Sequence, residues 1–140
     1  MEHLAEAARV RRAVLLFNRR LRQERGDGSL SPNQLSVLGH LYRHGTATPG
    51  EVAAAERQRP QSLTRVFAEL EAEGLVERAP DPSDRRQAVL SLTEAGRRAL
   101  EADMAQRDAW LAEAFEALSE TERGVLSLAA SVLERLGNAP

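Results

Sequence analysis

The residues best suited to bind another molecule lie together between Arg59 and Arg65. Gln61, Ser62 and Arg65 carry side chains that bond the edges of DNA bases, arginine to guanine, glutamine to adenine and serine to either. Arg59 and Thr64 flank them and are of the types that hold backbone phosphates. This composition predicts a segment that reads nucleic acid, with base contacts and phosphate contacts side by side.

Apolar residues in the same stretch predict how it is presented. They recur at i, i+3, i+4 and i+7, the spacing of one helix face, at Leu63, Val66, Phe67 and Leu70. The base-reading candidates then point away from that face. Any amphipathic helix has polar residues outside, but no acid lies from Arg57 to Arg65, which favours a polyanionic partner.

A second charged cluster follows, made of Asp84, Arg85 and Arg86. Residues 75–78 and 88–92 have the pattern of short strands, and the turn-rich residues 80–84 lie between them, so a β-hairpin with a charged tip is predicted. Arginine suits a narrow minor groove, where the negative potential is enhanced. Asp84 would orient one of the guanidiniums through a bidentate pair. The alternative is a solvated loop whose charges only keep the turn soluble.

Helix-start signals divide the rest of the chain. Residues 31–34, 48–51 and 119–122 match capping boxes, and Thr93 before Glu94 is a simpler cap. The predicted helices are 3–23, closed by Gly26-Asp27-Gly28, and then 32–43, 49–56, 60–74, 94–117 and 120–136. Two short helices followed directly by a hairpin form a winged helix-turn-helix. The predicted fold is therefore mainly α with a small β-hairpin wing, plus long N- and C-terminal dimerisation helices.

The long terminal helices carry more apolar surface than a small winged head needs. Their stripes are Leu4, Ala8, Leu15 and Leu21, then Leu100, Met104, Leu111, Phe115 and Leu118, then Val125, Leu128, Val132, Leu133 and Leu136. Burial against a second copy is the natural use of these faces, and a two-fold dimer matches a two-fold operator. A monomeric bundle is the alternative. The predicted domains are 1–30 and 93–140 for dimerisation and 31–92 for the winged helix-turn-helix.

Composition excludes several other classes. The chain has 140 residues, a net charge of −2, no cysteine and no lysine. Without cysteine there are no disulfides, thiolate nucleophiles or cysteine zinc ligands. The three histidines are scattered and no glycine-rich phosphate loop is present, so no enzyme activity is predicted. No apolar run approaches ~20 residues and no signal-peptide core opens the chain, so a cytoplasmic protein without membrane contact is expected.

Two of the histidines, His40 and His44, lie four residues apart on one predicted helix, a spacing that can hold a metal. The nearest carboxylates, those of Glu51 and Glu56, belong to the next helix. The pair is interpreted as surface residues, and neither a metal nor another cofactor is predicted.

Four short segments carry a family pattern: residues 62–65, 70–78, 84–86 and 92–96, with Asp84, Arg86, Leu92 and Thr93 at the most specific spacing. Together they resemble the multiple-antibiotic-resistance regulator (MarR) family of winged helix-turn-helix transcription regulators. The resemblance implies a homodimer on a pseudo-palindromic operator in double-stranded DNA, with Arg86 in the minor groove and the polar face of residues 61–65 in the major groove. Pro60-Gln61 departs from relatives, so the operator sequence is not implied.

The resemblance also implies repression of nearby genes and release by a small-molecule effector bound between the dimer helices and the reading head. Tyr42 and Trp110 are candidate lining residues, although both residue types more often simply pack. The competing interpretation is a protein-interaction module that keeps a winged fold without specific DNA binding, since fold does not fix function. Arg65, Arg85 and Arg86 favour DNA, because they have little use in a wing that binds only protein.

Overall fold

The computed structural model describes residues 2–24 and 30–140. Its elements are α1 (Leu4–Gln23), α2 (Pro32–His44), α3 (Pro49–Ala55), α4 (Pro60–Ala72), β1 (Val76–Pro80), β2 (Ala88–Leu92), α5 (Glu94–Glu116) and α6 (Glu120–Gly137). The predicted fold class is confirmed. The expected helix stop at Gly26-Asp27-Gly28 lies outside the described residues. No described helix is long and apolar enough to cross a bilayer.

Capping chemistry sets where the helices begin. At α2, Ser31 Oγ accepts from the Gln34 amide at 3.2 Å and Gln34 Oε1 accepts from the Ser31 amide at 2.9 Å, which completes the predicted box. The start of α6 has the same arrangement. At α3 the expectation of a full box is wrong, because only Thr48 Oγ1 bonds, accepting from the Glu51 amide at 3.1 Å. The Glu51 side chain is exposed instead, and its negative charge near the helix N-terminus is still favourable.

The structure forms two compact units. The terminal unit contains α1 and residues 106–140, and the head contains α2 through residue 105. The head therefore extends beyond the boundary predicted at residue 93. It does so because Leu100 is buried in the core and Asp103, also buried, accepts the Leu30 amide at 3.1 Å.

The hydrophobic core belongs to the head. All the buried apolar side chains of the described residues lie between Leu30 and Leu100. Four of them form the inner face of α4, as the spacing predicted: Leu63, Val66, Phe67 and Leu70. Full burial of such a side chain contributes about 1.5–3 kcal/mol. This inner face therefore fixes the rotation of α4 and leaves the opposite face in solvent.

The wing is an antiparallel hairpin in which Val76 pairs with Leu92 and Pro80 with Ala88. β1 begins one residue later than predicted, because the Leu75 amide closes α4 by donating to the Leu70 carbonyl at 2.9 Å.

The hairpin is also tied to the segment before α3. The Leu90 amide donates to the Ala47 carbonyl at 2.7 Å, and the Ala47 amide donates back at 3.1 Å. This two-way bridge joins the wing to the helix-turn-helix, and both residues are buried.

The end of α4 is held against the start of α5 by four residues, Gly74, Leu75, Thr93 and Gly96, which we call the α4–α5 clasp. Thr93 Oγ1 donates to the Gly74 carbonyl at 2.7 Å, and the Thr93 amide donates to the Leu75 carbonyl at 3.1 Å. The same hydroxyl accepts from the Gly96 amide at 3.0 Å and so caps α5 as predicted. The backbone at Gly96 passes so close to Leu75 that no side chain fits between them.

Gly96→Ala is expected to destabilise the head by about 1–3 kcal/mol through overpacking. An added Cβ would lie 2.0 Å from the Leu75 carbonyl oxygen and 2.9 Å from Leu92 Cδ1. Alanine favours a helix by about 0.8–1.0 kcal/mol over glycine, so a net loss of stability would show that the close approach dominates. Thermal unfolding followed by circular dichroism measures the change.

The matched control is Gly50→Ala in the first turn of α3, where the nearest atom, Thr48 Oγ1, lies 3.9 Å from the added Cβ. It should keep or raise the Tm. An unchanged Tm in Gly96→Ala would show that the clasp tolerates a side chain at this position.

Candidate nucleic-acid interface

The polar side chains of α4 face solvent on the side opposite the core. Gln61, Ser62 and Arg65 are all exposed, as are Arg59 and Thr64. No acid lies in the first turn of α4. A molecule that approaches this face meets hydrogen-bonding and positively charged groups before it meets a carboxylate.

Two of these side chains already bond within the helix. Arg65 Nε donates to Glu69 Oε1 at 3.0 Å, although 90 % of the Arg65 side chain stays exposed. Exposed pairs of this spacing contribute only about 0.3–0.5 kcal/mol, so a base edge or phosphate competes easily with Glu69. Thr64 Oγ1 donates to the Pro60 carbonyl at 3.1 Å. A phosphate accepts but does not donate, so the Thr64 hydroxyl must rotate before it can bind one.

At the wing tip, Asp84 organises the turn. Its Oδ1 accepts from the Arg86 amide at 3.1 Å and lies 3.4 Å from Arg86 Nε, while its Oδ2 accepts from Gln87 Nε2 at 3.3 Å. These bonds, with the Arg86 amide as the largest cause, hold the pKa of Asp84 below its usual value. The predicted bidentate pair is wrong, because Gln87 occupies the second oxygen. Arg86 is tethered through Nε alone and its side chain is 94 % exposed.

A second carboxylate, that of Asp81, is also bound to the turn itself. It accepts from the Ser83 amide at 2.9 Å and from the Ser83 hydroxyl at 2.8 Å, and these two bonds, in that order, lower the pKa of Asp81. Arg85 is exposed, and within the described residues it has no ion pair. The tip thus holds its own acids in place and leaves Arg85 available to a ligand.

An ion pair that the sequence did not predict joins the wing to α4. Arg78 Nε on β1 donates to Glu71 Oε2 on α4 at 3.2 Å, and each side chain is 40 % exposed. A shallow depression of about 340 Å³ lies between Arg78, Arg85 and Arg86. Arg78 and Glu71 belong to different elements, so no sequence periodicity could identify this ion pair. Their contact ties the wing to the C-terminal part of α4.

The candidate effector-lining residues Tyr42 and Trp110 belong to different units. Tyr42 on α2 is about half exposed. The Trp110 ring lies 6.4 Å from the Phe17 ring, and Arg20 Cζ lies 5.0 Å from the Trp110 centroid, within cation–π range. Trp110 therefore packs within the terminal unit, and a ligand-lining role stays a prediction for both residues.

The two helical histidines face each other, with ring centroids 4.6 Å apart. His40 is buried, so the interpretation of the pair as surface residues is wrong for His40. Burial is the largest cause that lowers the pKa of His40. His44 and Arg43 add to it, while Glu56 and Glu51 on α3 oppose it. Among the described residues, no group of three or more potential ligands could hold a metal ion.

Comparison with known proteins gives consistent matches. Residues 29–87 match the model of the MarR family. An HTH-type transcriptional regulator from Mycobacterium tuberculosis is 41% identical over 121 residues, covering 86% of this chain and 85% of that protein.

Solved structures of other proteins are also similar to this chain. A Pseudomonas aeruginosa PA01 protein assigned as a transcriptional regulator is 40% identical, with a TM-score of 0.84 over 99% of this chain and 98% of that one. Bordetella bronchiseptica BpsR, whose structure is described in terms of regulation of DNA binding by 6-hydroxynicotinic acid, is 25% identical, with a TM-score of 0.67 over 96% and 94% of the two chains.

The stability of the fold is expected to fall as the pH drops below about 6.5, which is the ordinary pKa of a histidine such as His40. The pKa of His40 is lowered in the folded state, so below the ordinary value the unfolded chain binds a proton that folded His40 resists. Stabilisation is therefore present above this pH and is lost below it. Urea unfolding at a series of pH values, at constant protein concentration, should show a shallower loss for His40→Gln than for wild type.

The control is His3→Gln, whose imidazole is 82% exposed. It should keep the wild-type pH dependence. If His40→Gln and wild type lose stability in parallel, then another group controls the acid sensitivity.

Proposed function

The chain belongs to the MarR family of helix-turn-helix transcription regulators, and we propose that it is a cytoplasmic homodimer that binds a pseudo-palindromic operator. In this proposal it represses nearby genes by occupying promoter DNA, and a small-molecule effector releases it. Its relatives are transcription regulators, and no enzymatic activity is proposed.

The observation that carries the proposal is the acid-free polar face on the first turns of α4. With α4 in the major groove, Gln61, Ser62 and Arg65 reach base edges and give sequence specificity. Arg59, at the helix N-terminus, and Thr64 bind phosphates and set the register of the helix. The buried opposite face supports this assignment because it leaves α4 no other rotation.

The wing supplies the second contact. Arg86 is almost fully exposed and is held only at Nε, so its terminal nitrogens are available to a narrow minor groove. Arg85 has no competing ion pair among the described residues and adds positive charge at the same edge. The Arg78–Glu71 pair supports a fixed spacing between the two groove contacts.

Dimerisation is supported by apolar surface that the chain leaves uncovered. Neither α1 nor α6 has a buried residue. Tyr42 aside, the exposed large apolar side chains of the described residues all belong to the terminal helices: Leu4, Val10, Val14, Leu15, Leu16, Phe17, Met104, Val125, Leu126, Leu128, Leu133 and Leu136. Surface of this kind marks an interface. Within the terminal unit an apolar groove of about 360 Å³ runs between α1, α5 and α6 and would be filled by a second copy.

Effector release is supported by the likeness to BpsR, whose DNA binding is described as regulated by 6-hydroxynicotinic acid. For this chain we assign Tyr42 and Trp110 as candidate contacts, without naming the ligand. The competing proposal is a protein-interaction module. It would assign no binding role to the exposed arginines of α4 and the wing.

Arg86→Ala is expected to weaken operator binding by about 1–3 kcal/mol, as the loss of a groove contact does. Fluorescence anisotropy with DNA from upstream of the protein's own gene, at two salt concentrations and with random DNA as competitor, measures this. Wild-type binding should weaken steeply with salt, since phosphate contacts release counterions.

Arg98→Ala is the control, because it removes an exposed arginine from α5 that pairs with Glu94 at 3.3 Å. It should bind like wild type. If wild type and Arg86→Ala bind this DNA no better than random DNA, a genome-wide selection of DNA fragments would be the next test. Failure there as well would favour the protein-interaction module.

Leu133→Arg, in the apolar groove of α6, is expected to shift the protein from dimer to monomer, because a buried unpaired charge opposes association. Light scattering coupled to size-exclusion chromatography measures the mass. Ser131→Arg places the same side chain on the polar side of α6 and should remain dimeric. A wild-type protein that is monomeric at micromolar concentration would contradict the dimer.

A further inference from the structure

The turn between α3 and α4 contains an unusual backbone conformation. Arg57 has a φ of 53°, the only positive φ of a non-glycine residue in the described part of the chain. Left-handed backbone brings the Cβ of an L-residue close to the carbonyl oxygen, so this position ordinarily favours glycine. A residue kept in such a conformation invites a functional explanation.

A second turn in the same head makes the comparison direct. α3 ends with Arg57 N bonded to the Ala54 carbonyl and Gln58 N to the Ala53 carbonyl, at 3.2 and 2.8 Å. This is the Schellman pattern, in which the first residue past the cap is left-handed. α4 ends with the same two bonds, and the equivalent residue is Gly74, with a φ of 73°. The turn after α4 thus meets the left-handed requirement with glycine, whereas the turn before α4 meets it with arginine.

Nothing described in the head uses the Arg57 side chain. It is exposed, and no ion pair or side-chain hydrogen bond holds it within the described residues. The adjacent acid, Glu56, lies 3.8 Å from Arg43, and no further acid occurs before Glu69. Arg57 is therefore an unneutralised cation in a conformation that disfavours it.

The turn also has a defined place beside the reading helix. Arg57 precedes Pro60, the first residue of α4, by three positions. Gln58 Nε2 donates to Asn33 Oδ1 at 3.2 Å, which ties the turn to the start of α2. A helix in the major groove has phosphates along both edges, and residues at its N-terminal approach lie close to them.

We infer that Arg57 binds a DNA phosphate beside the recognition helix and so sets how α4 enters the groove. The inference rests on the proposed DNA binding and adds a residue to it. Arg57 contributes affinity and not base specificity, because a phosphate carries no sequence information. The alternative is that the side chain serves only to keep the turn hydrated.

The test uses Arg57→Gly and Arg57→Asn, two residues that accept left-handed backbone without the charge. Both variants should keep a Tm no lower than that of wild type. Both should bind operator and random DNA about tenfold more weakly, by the same factor for each, and the slope of log K against log salt should become shallower by about one.

Two controls separate conformation from charge. Gly74→Arg puts arginine in the matched turn, where an added Cβ meets no atom within 4 Å, and should lower the Tm through backbone strain alone. Arg98→Ala removes one exposed positive charge away from the turn and should leave the affinity and salt slope unchanged.

Wild-type affinity and salt slope in both Arg57 variants, with operator binding by wild type intact, would overturn the inference and leave the proposed function standing. A lower Tm in both variants would also overturn the inference, because the Arg57 side chain would then stabilise the fold. Failure of wild type to bind any DNA would instead remove the proposed function, and the inference with it.

Discussion

The position of the proposed DNA-binding surface depends on the α4–α5 clasp. Thr93 bonds two consecutive carbonyls, those of Gly74 and Leu75, with its hydroxyl and its amide. β1 begins directly after Leu75 and β2 ends directly before Thr93, so the same residues close the base of the wing. Because Gly96 leaves no room for a side chain at this contact, the end of α4, the base of the wing and the first turn of α5 are fixed to one point. A shift in any one of them must strain the other two.

Charge placement explains how an acidic chain can present the exposed arginines of the proposed DNA-binding surface. The net charge is −2, yet three acids near the surface are each turned toward one arginine, in the pairs Glu69–Arg65, Glu71–Arg78 and Asp84–Arg86. Exposed pairs contribute little to stability. They do reduce the repulsion among neighbouring arginines on this surface. Three other arginines have no such partner among the described residues: Arg57, Arg59 and Arg85. The positive potential around them is therefore not compensated by a paired carboxylate.

Much of the fold could be predicted from the sequence because its signals are local. Helix starts at Ser31 and Ser119 follow from residues three apart, and the inner face of α4 follows from helical spacing. The α4–α5 clasp could not be predicted, since Gly74 and Thr93 are nineteen residues apart and meet only after the hairpin folds. The burial of His40 was missed for the same reason, because α3 packs beside α2. Of the site, the exposure of Gln61, Ser62, Thr64 and Arg65 was predictable, but the left-handed conformation of Arg57 has no signal in its own residue type. The Asp84–Arg86 geometry also differed, because a neighbouring amide competed for the carboxylate.

In the proposed dimer, the uncovered apolar helices would link regulation to the amount of protein in the cell. α1 and α6 bury no residue within one chain, so in the proposed dimer much of their stability comes from association, and that contribution grows with protomer concentration. When synthesis is low, lone chains would expose these helices to proteolysis and would also lack the second head. Operator occupancy would then rise with roughly the square of chain concentration, and turnover would remove chains that find no partner. The promoter would respond to the regulator's abundance as a threshold and not in proportion to it.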